Sequence, residues 1–211
     1  MRDKRIDQKR SHAKKSDFVQ IVCLNGSIKE ILDTLRHRGK KNLHIIERTL
    51  EILTGLSLKG YEGKAVGTMF LIGDIEGVKK NTTPMIINPF KGWRNVNIME
   101  GKRQRTFEAF SQLDGAIVID SRGNAHSAGR MVHVKDDPTC GREFAVQKPW
   151  DSGGTGTRSR ASKYITEVTK TVSITLSMNG DISVYHGGKE IGRLKRDICS
   201  VKTDDMDIFI K

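Results

Sequence analysis

Between Asp151 and Ser162 the sequence reads DSGGTGTRSRAS, with three glycines and two threonines ahead of two arginines that flank a serine. Glycines let a backbone approach a ligand with no Cβ in the way, and the amides at a helix start point outward with the positive end of its dipole. Gly153, Gly154, Thr155, Gly156 and Thr157, placed ahead of a helical stretch, therefore suit a phosphate. Arg158 and Arg160 add permanent charge and fork-shaped donors that match phosphate oxygens. The stretch is not a Walker A loop, because no Gly-Lys-Ser/Thr follows the glycines, and it closes no dinucleotide-binding strand-turn-helix unit. Taken alone it is equally what a surface loop before a solvated helix start would look like.

A second group lies upstream, in Leu113-Asp114-Gly115-Ala116-Ile117-Val118-Ile119, where a carboxylate stands at the mouth of an apolar strand. Alone, Asp114 would be a turn residue after a helix. Paired with the later Gly-Thr-Arg-x-Arg, it resembles the diadenylate cyclase domain, whose signatures are an Asp-Gly-Ala triplet and an Arg-His-Arg triplet preceded by Gly-Thr. The likeness extends to Val66 through Asp74, to Asn88-Pro89-Phe90-Lys91-Gly92, to Ser127-Ala128-Gly129-Arg130 and to the hairpin Ser177 to Tyr185, covering the chain from Lys64 to Lys189.

The resemblance implies an α/β domain with a central mixed sheet surrounded by helices, holding one ATP per protomer. Two protomers would face each other, each ribose 3′-hydroxyl attacking the α-phosphorus of the other ATP to give cyclic di-AMP and two pyrophosphates. Asp114 matches the aspartate beside the 3′-hydroxyl and a divalent ion, Mg²⁺ or Mn²⁺; a carboxylate can bind a hard cation and accept or steer a proton. Gly115 and Ala116 would keep the approach of the ribose clear. Val132, just beyond Gly129, falls where the family reads adenine through the backbone. Gly154, Thr155 and Gly156 would cradle phosphate, and Thr157, Arg158 and Arg160 match the triphosphate-binding residues.

Ser159 stands where the family triplet has histidine. A serine hydroxyl can donate to a phosphate oxygen, but it is a poor metal ligand and no substitute for imidazole in acid–base work. Three readings follow: drift with activity retained, a deliberate substitution, or a catalytically impaired homologue that binds ATP or cyclic di-AMP. His126 and His133, near the hairpin after Asp114, are candidate replacements for the missing imidazole, or ordinary strand residues. Trp93 and Trp150 could stack on a base, although core packing is the commoner use of such rings.

The rest of the chain bounds these readings. Its 211 residues suffice for one domain with a core plus a small appendage. A formal net charge of +12 favours phosphate-bearing partners in general. Part of the excess sits in Arg2, Lys4, Arg5, Lys9, Arg10, Lys14 and Lys15, read as a solvated, flexible tail; no nucleic-acid reading element is recognisable, though the tail leaves that partner open. No apolar run approaches the ~20 residues of a membrane span, so a soluble, cytoplasmic protein is expected. Cys23, Cys140 and Cys199 show no paired spacing, which points to reduced thiols rather than disulfides or a zinc site.

The elements that must position the site are legible in outline. Ser27-Ile28-Lys29-Glu30 has the form of a capping box ahead of Ile31, Leu32 and Leu35, with Gly39 as a stop. A second amphipathic helix is expected from Asn42 to Gly55. Ala65 to Ile72 reads as a strand buried on both faces. Further strands are expected at Met85 to Ile87, Ala116 to Ile119, Ala125 to Val134, Val172 to Leu176 and Ile182 to Tyr185, the last two joined by Asn179-Gly180. Helices are expected at Thr106 to Leu113 and Ala161 to Lys170. The division that results is a basic tail over residues 1–20, two amphipathic helices over 21–60 and the catalytic-type domain over 61–211.

Overall fold

The computed structural model describes residues 18–93, 95–134 and 156–202. The basic residues up to 17, Cys140, Trp150 and the residues Gly153, Gly154 and Thr155 expected to cradle phosphate lie outside them. By internal packing the chain divides into two units, Met1–Cys23 with Ile198–Lys211, and Leu24–Asp197. The site belongs to the second, which is described below.

The apolar run after Gly67 forms β2 (Thr68–Gly73), and its side chains alternate between two buried faces of a sheet. Phe70 and Ile72 point to a large core with α1 (Ile28–His37) and α2 (Leu43–Lys59), while Met69 and Leu71 point to a smaller core with α3 (Ile75–Lys80) and α5 (Thr157–Val168). Ile117 and Ile119 of β4 (Ala116–Asp120) follow the first pair, and Ala116 and Val118 the second. α4 (Gln104–Phe110) adds Phe107 to the large core against Phe70 and Phe90. Helices therefore cover both faces, as the expected α/β architecture with a mixed sheet requires.

With β1 (Phe18–Asn25), β3 (Thr82–Pro84), β5 (Ala125–Val132), β6 (Val172–Leu176), β7 (Ile182–His186) and β8 (Lys189–Lys202), the strand order is β1-β8-β7-β6-β2-β4-β5-β3. β2 and β4 run parallel with Met69 opposite Ala116, while β2 and β6 run antiparallel with Thr68 opposite Leu176. These registers bring the starts of β2 and β4 and the end of β6 to one end of the sheet. Sequence reading included neither β1 nor β8.

Local signals behave as their chemistry dictates. Ser27 Oγ accepts the Glu30 amide at 3.2 Å to start α1. Asp120 closes the turn between β4 and β5 by accepting the amides of Arg122 and Asn124 at 2.8 and 2.9 Å. The Gly180 amide donates to the Ser177 carbonyl at 2.9 Å, closing the β6–β7 hairpin.

Three expectations need correction. The strand expected at Met85 to Ile87 sits three residues earlier, at Thr82–Pro84, while Met85, Ile86 and Ile87 are 50%, 41% and 89% exposed. Pairing with β5 stops at Pro84 opposite Arg130, because Gly129 has φ +68° and turns β5 off its extended path. α2 runs through Gly55 to Lys59, ending at Gly60, since one half-buried glycine costs less than the burial of Leu56 gains. α5 starts at Thr157 rather than Ala161, which moves the arginines from a loop onto the first helical turn.

Candidate functional site

A cleft of about 660 Å³ opens at the sheet end described above. The turn Asp114-Gly115 before β4 meets there with the first turn of α5, the end of β5 and the β6–β7 hairpin. Asp114, Gly115, Ala116, Val132, Gly156, Thr157, Arg158 and Ser159 all line it. Two segments with residues 117–155 between them thus share one surface, as a joint role in chemistry requires.

The Asp114-Gly115 corner is built by close backbone approach. Gly115 has φ +92°, and a Cβ there would lie 2.7 Å from the Arg130 amide nitrogen. Gly129, the next residue across, has φ +68° and would place a Cβ 2.5 Å from Ile86 Cγ1. Both positions demand glycine. Gly129 is buried under Ile86 and does not line the cleft, so its contribution is to let β5 pass the Asp114 corner. The Asp114 side chain is exposed at the cleft and takes no hydrogen bond from the described residues.

Gly156 caps α5 in an extended conformation, so the free amides of the first turn face the cleft end. Arg158 lies half-buried against the start of β2, where a Cβ on Gly67 would be 2.7 Å from its Nη1. Arg160 is exposed and does not line the cleft. Residues two apart on a helix lie on opposite sides, and of the two arginines Arg158 is the one that lines the cleft. The sequence expectation began the helix at Ala161, leaving both arginines ahead of it.

Ser159 faces a hydrogen-bonded chain. The hydroxyl of Tyr185 lies 3.1 Å from Ser159 Oγ and 3.4 Å from Glu190 Oε2. Arg193 grips Glu190 with two bonds, Nε to Oε1 at 2.8 Å and Nη2 to Oε2 at 3.0 Å. Burial pushes the Tyr185 phenol above its ordinary value, and the nearby Glu190 charge adds to this.

Sequence reading missed Arg130, Arg193 and the hairpin wall from Ser177 to Asp181. Arg130 is pinned by two bonds to Thr82, Nε to Oγ1 at 2.7 Å and Nη2 to the carbonyl at 2.8 Å, and its side of β5 lines the cleft. Asn179-Gly180 was visible as a turn, but nothing local shows that the turn forms a wall of the cleft. Neither His126 nor His133 lines the cleft: His126 Nε2 sits 3.3 Å from Asp120 Oδ2 at the β4–β5 turn, and the His133 amide donates to Asn81. Trp93 is 64% exposed, with the Arg103 guanidinium 5.9 Å from its ring centre.

Among the described residues, no group of three His, Cys, Asp or Glu side chains is arranged to hold a metal ion. Asp114 and Asp181 are the carboxylates that line the cleft among the described residues, and Asp181 already accepts the Arg196 amide at 3.0 Å. That donor set fits an ion bound through one carboxylate, with phosphate oxygens and water completing its shell. No helix among the described residues is long and apolar enough to cross a membrane.

Residues 56–190 match the family described as DAC, DisA bacterial checkpoint controller nucleotide-binding. The diadenylate cyclase of Methanocaldococcus jannaschii is 31% identical over 182 residues, covering 83% of this chain and 54% of that protein. The diadenylate cyclase of Haloferax volcanii is 32% identical over 154 residues, covering 70% and 51%. The chain therefore spans about half the length of the curated relatives it matches. In fold, it is similar to the crystal structure of a hypothetical membrane spanning protein from Bacillus cereus, with a TM-score of 0.50 at 15% identity over 71% of this chain and 62% of that one.

Proposed function

The chain belongs to the diadenylate cyclase family, and from that premise we propose that it condenses two ATP molecules into cyclic di-AMP and two pyrophosphates. The observation that carries this reading is the convergence of Asp114 with Thr157, Arg158 and Ser159 on one cleft. A cleft of about 660 Å³ suits one nucleotide. Two ATP molecules then need two copies of the chain face to face, and exposed Met85 and Met131 at the cleft give that contact an apolar rim.

In this reading the triphosphate lies over the start of α5, where helix amides and the Arg158 guanidinium neutralise its charge. Thr157 donates from the same turn, and Val132 borders the base. Asp114 would accept or steer the proton of the 3′-hydroxyl as that oxygen bonds to the α-phosphorus of the ATP held by the other copy. The bond from that phosphorus to the pyrophosphate bridge then breaks, and pyrophosphate leaves with its electron pair. The same exchange in the opposite sense closes the ring. Positioning and charge neutralisation carry most of the acceleration in phosphoryl-type transfers. Mg²⁺ or Mn²⁺ held by Asp114 together with the phosphates would lower the proton affinity of the 3′-hydroxyl and offset charge on the leaving group. The cytoplasm, with its ATP supply, is the compartment this chemistry calls for.

The test is incubation of the protein with ATP and each metal at concentrations high enough for self-association, with products resolved by chromatography and mass. Cyclic di-AMP plus pyrophosphate is expected. ATP binding without any cyclic dinucleotide would replace this reading with that of an impaired nucleotide-binding homologue.

A further inference from the structure

Ser159 is joined to a buried side chain that the proposed reaction does not use. Tyr185 on β7 is fully buried, yet its hydroxyl reaches both Ser159 Oγ, at 3.1 Å, and Glu190 Oε2, at 3.4 Å. Glu190 is itself held by two bonds from Arg193 and by the Ser183 hydroxyl at 3.3 Å. A phenol has one proton to give, an ionised carboxylate only accepts, and a serine hydroxyl can do both. Two proton orders are therefore open to this chain of groups.

In the first order, Tyr185 donates to Glu190 and Ser159 donates to Tyr185, which turns the serine proton away from the cleft. In the second, Tyr185 donates to Ser159, and the serine proton is free for an acceptor in the cleft. Glu190 loses little in the second order, because its bonds from Arg193 and Ser183 remain. A phosphate oxygen only accepts, so its arrival beside Ser159 selects the second order.

We propose that Tyr185 is a positioning residue for the anion in this cleft: with a triphosphate bound, the Tyr185 hydroxyl donates to Ser159 Oγ, and the Ser159 hydroxyl donates to a phosphate oxygen. The proposal rests on the nucleotide reading given above. Linked donors polarise one another, so the serine becomes a stronger donor than an isolated hydroxyl, and its rotor is already fixed. The phenol carries its proton at neutral pH as any tyrosine does, and burial pushes its value higher still, with the Ser159 bond the largest opposing influence. The serine at the centre of the arginine pair thereby has a defined partner within the fold.

The experiment measures affinity for inorganic tripolyphosphate, ATP and adenosine by calorimetry in four proteins: the unaltered chain, Tyr185→Phe, Ser159→Ala and the double variant. Tyr185→Phe should weaken tripolyphosphate and ATP roughly three- to tenfold and leave adenosine unchanged, which also certifies the fold. The same Tyr185→Phe change should have no further effect on the Ser159→Ala background. A loss that persists on that background, a parallel loss for adenosine, or tripolyphosphate affinity indifferent to Tyr185 would overturn the proposal. Tripolyphosphate binding coupled through the pair in a protein that makes no cyclic di-AMP would remove the cyclase reading and keep the positioning role. Synthesis of cyclic di-AMP with no coupling between the two residues would do the reverse.

Discussion

The guanidinium of Arg158 rests against the α-carbon of Gly67, so closely that a methyl group there would lie 2.7 Å from Nη1 and 2.9 Å from Cζ. The bare backbone ahead of β2 thus sets where the arginine of α5 can stand at the cleft. Gly67→Ala should displace the end of a flexible side chain and leave the backbone undisturbed, since Gly67 does not have a positive φ. We expect ATP affinity to fall roughly fivefold, as for a weakened charged hydrogen bond, with the unfolding temperature nearly unchanged. Calorimetric titration beside thermal unfolding checks this; unchanged affinity would mean that Arg158 does not hold the nucleotide.

Asp114 stands exposed at the cleft with no donor from the described residues, so its carboxylate is free for the 3′-hydroxyl and an ion. Asp114→Asn should lower cyclic di-AMP synthesis by roughly 10²-fold or more while leaving affinity for ATP without metal within about twofold. Rates and binding measured on the same preparation separate the two effects. Near-normal synthesis by the variant would remove Asp114 from its assigned role.

Ser159→His would restore the imidazole of the family triplet, but the structure puts a fully buried phenol 3.1 Å from the serine oxygen. A ring built from the same Cα must displace Tyr185 or swing into the space for phosphate. Turnover should therefore fall under both Mg²⁺ and Mn²⁺, and Tyr185→Phe added to Ser159→His should recover part of the loss by relieving the crowding. A gain in turnover from Ser159→His alone would show that the site accepts the ring without rearrangement.

Asp120 provides a pH test away from the cleft. Burial disfavours its charged form, but the amides of Asn124 and Arg122, with the Asn124 side chain and His126, outweigh this and hold the carboxyl below the usual range. Because the folded-state value is the lower one, the stabilisation is complete above the unfolded-state value near 3.9 and is lost as pH falls through the folded-state value. Asp120→Asn should cost about 1 kcal/mol at neutral pH, and the difference from the unaltered chain should shrink as the pH is lowered below about 4. Chemical denaturation at pH 7 and pH 3.5 compares the full stabilisation with a partly lost one; an equal difference at the two values would contradict the assignment.

The parts of this protein that the sequence determined are those whose cause is local. Ser27 caps α1 because its hydroxyl is three residues from the amide it serves. The run through Phe70 and Leu71 reads as a doubly buried strand because both faces are apolar, and Asn179-Gly180 reads as a hairpin because two adjacent residues suit the turn. Asp114 and the Thr157 to Ser159 segment were paired not by local cause but by their resemblance to a family signature, and both line one cleft.

Tertiary structure decided everything that depends on register and helix phase. Met85 to Ile87 has the composition of a strand, but its partner β5 leaves the extended path at Gly129, so the paired residues are Thr82 to Pro84. Arg158 and Arg160 look equivalent in sequence until α5 starts at Thr157, after which successive side chains are rotated about 100° apart and Arg158 alone of the two lines the cleft. Tyr185 lies 26 residues from Ser159, and Arg193 reaches Glu190 along β8, so only the stacking of β7, β8 and α5 against one another makes them neighbours of the serine. Such contacts come from the packing of whole elements, and no window of local sequence contains the information that sets them.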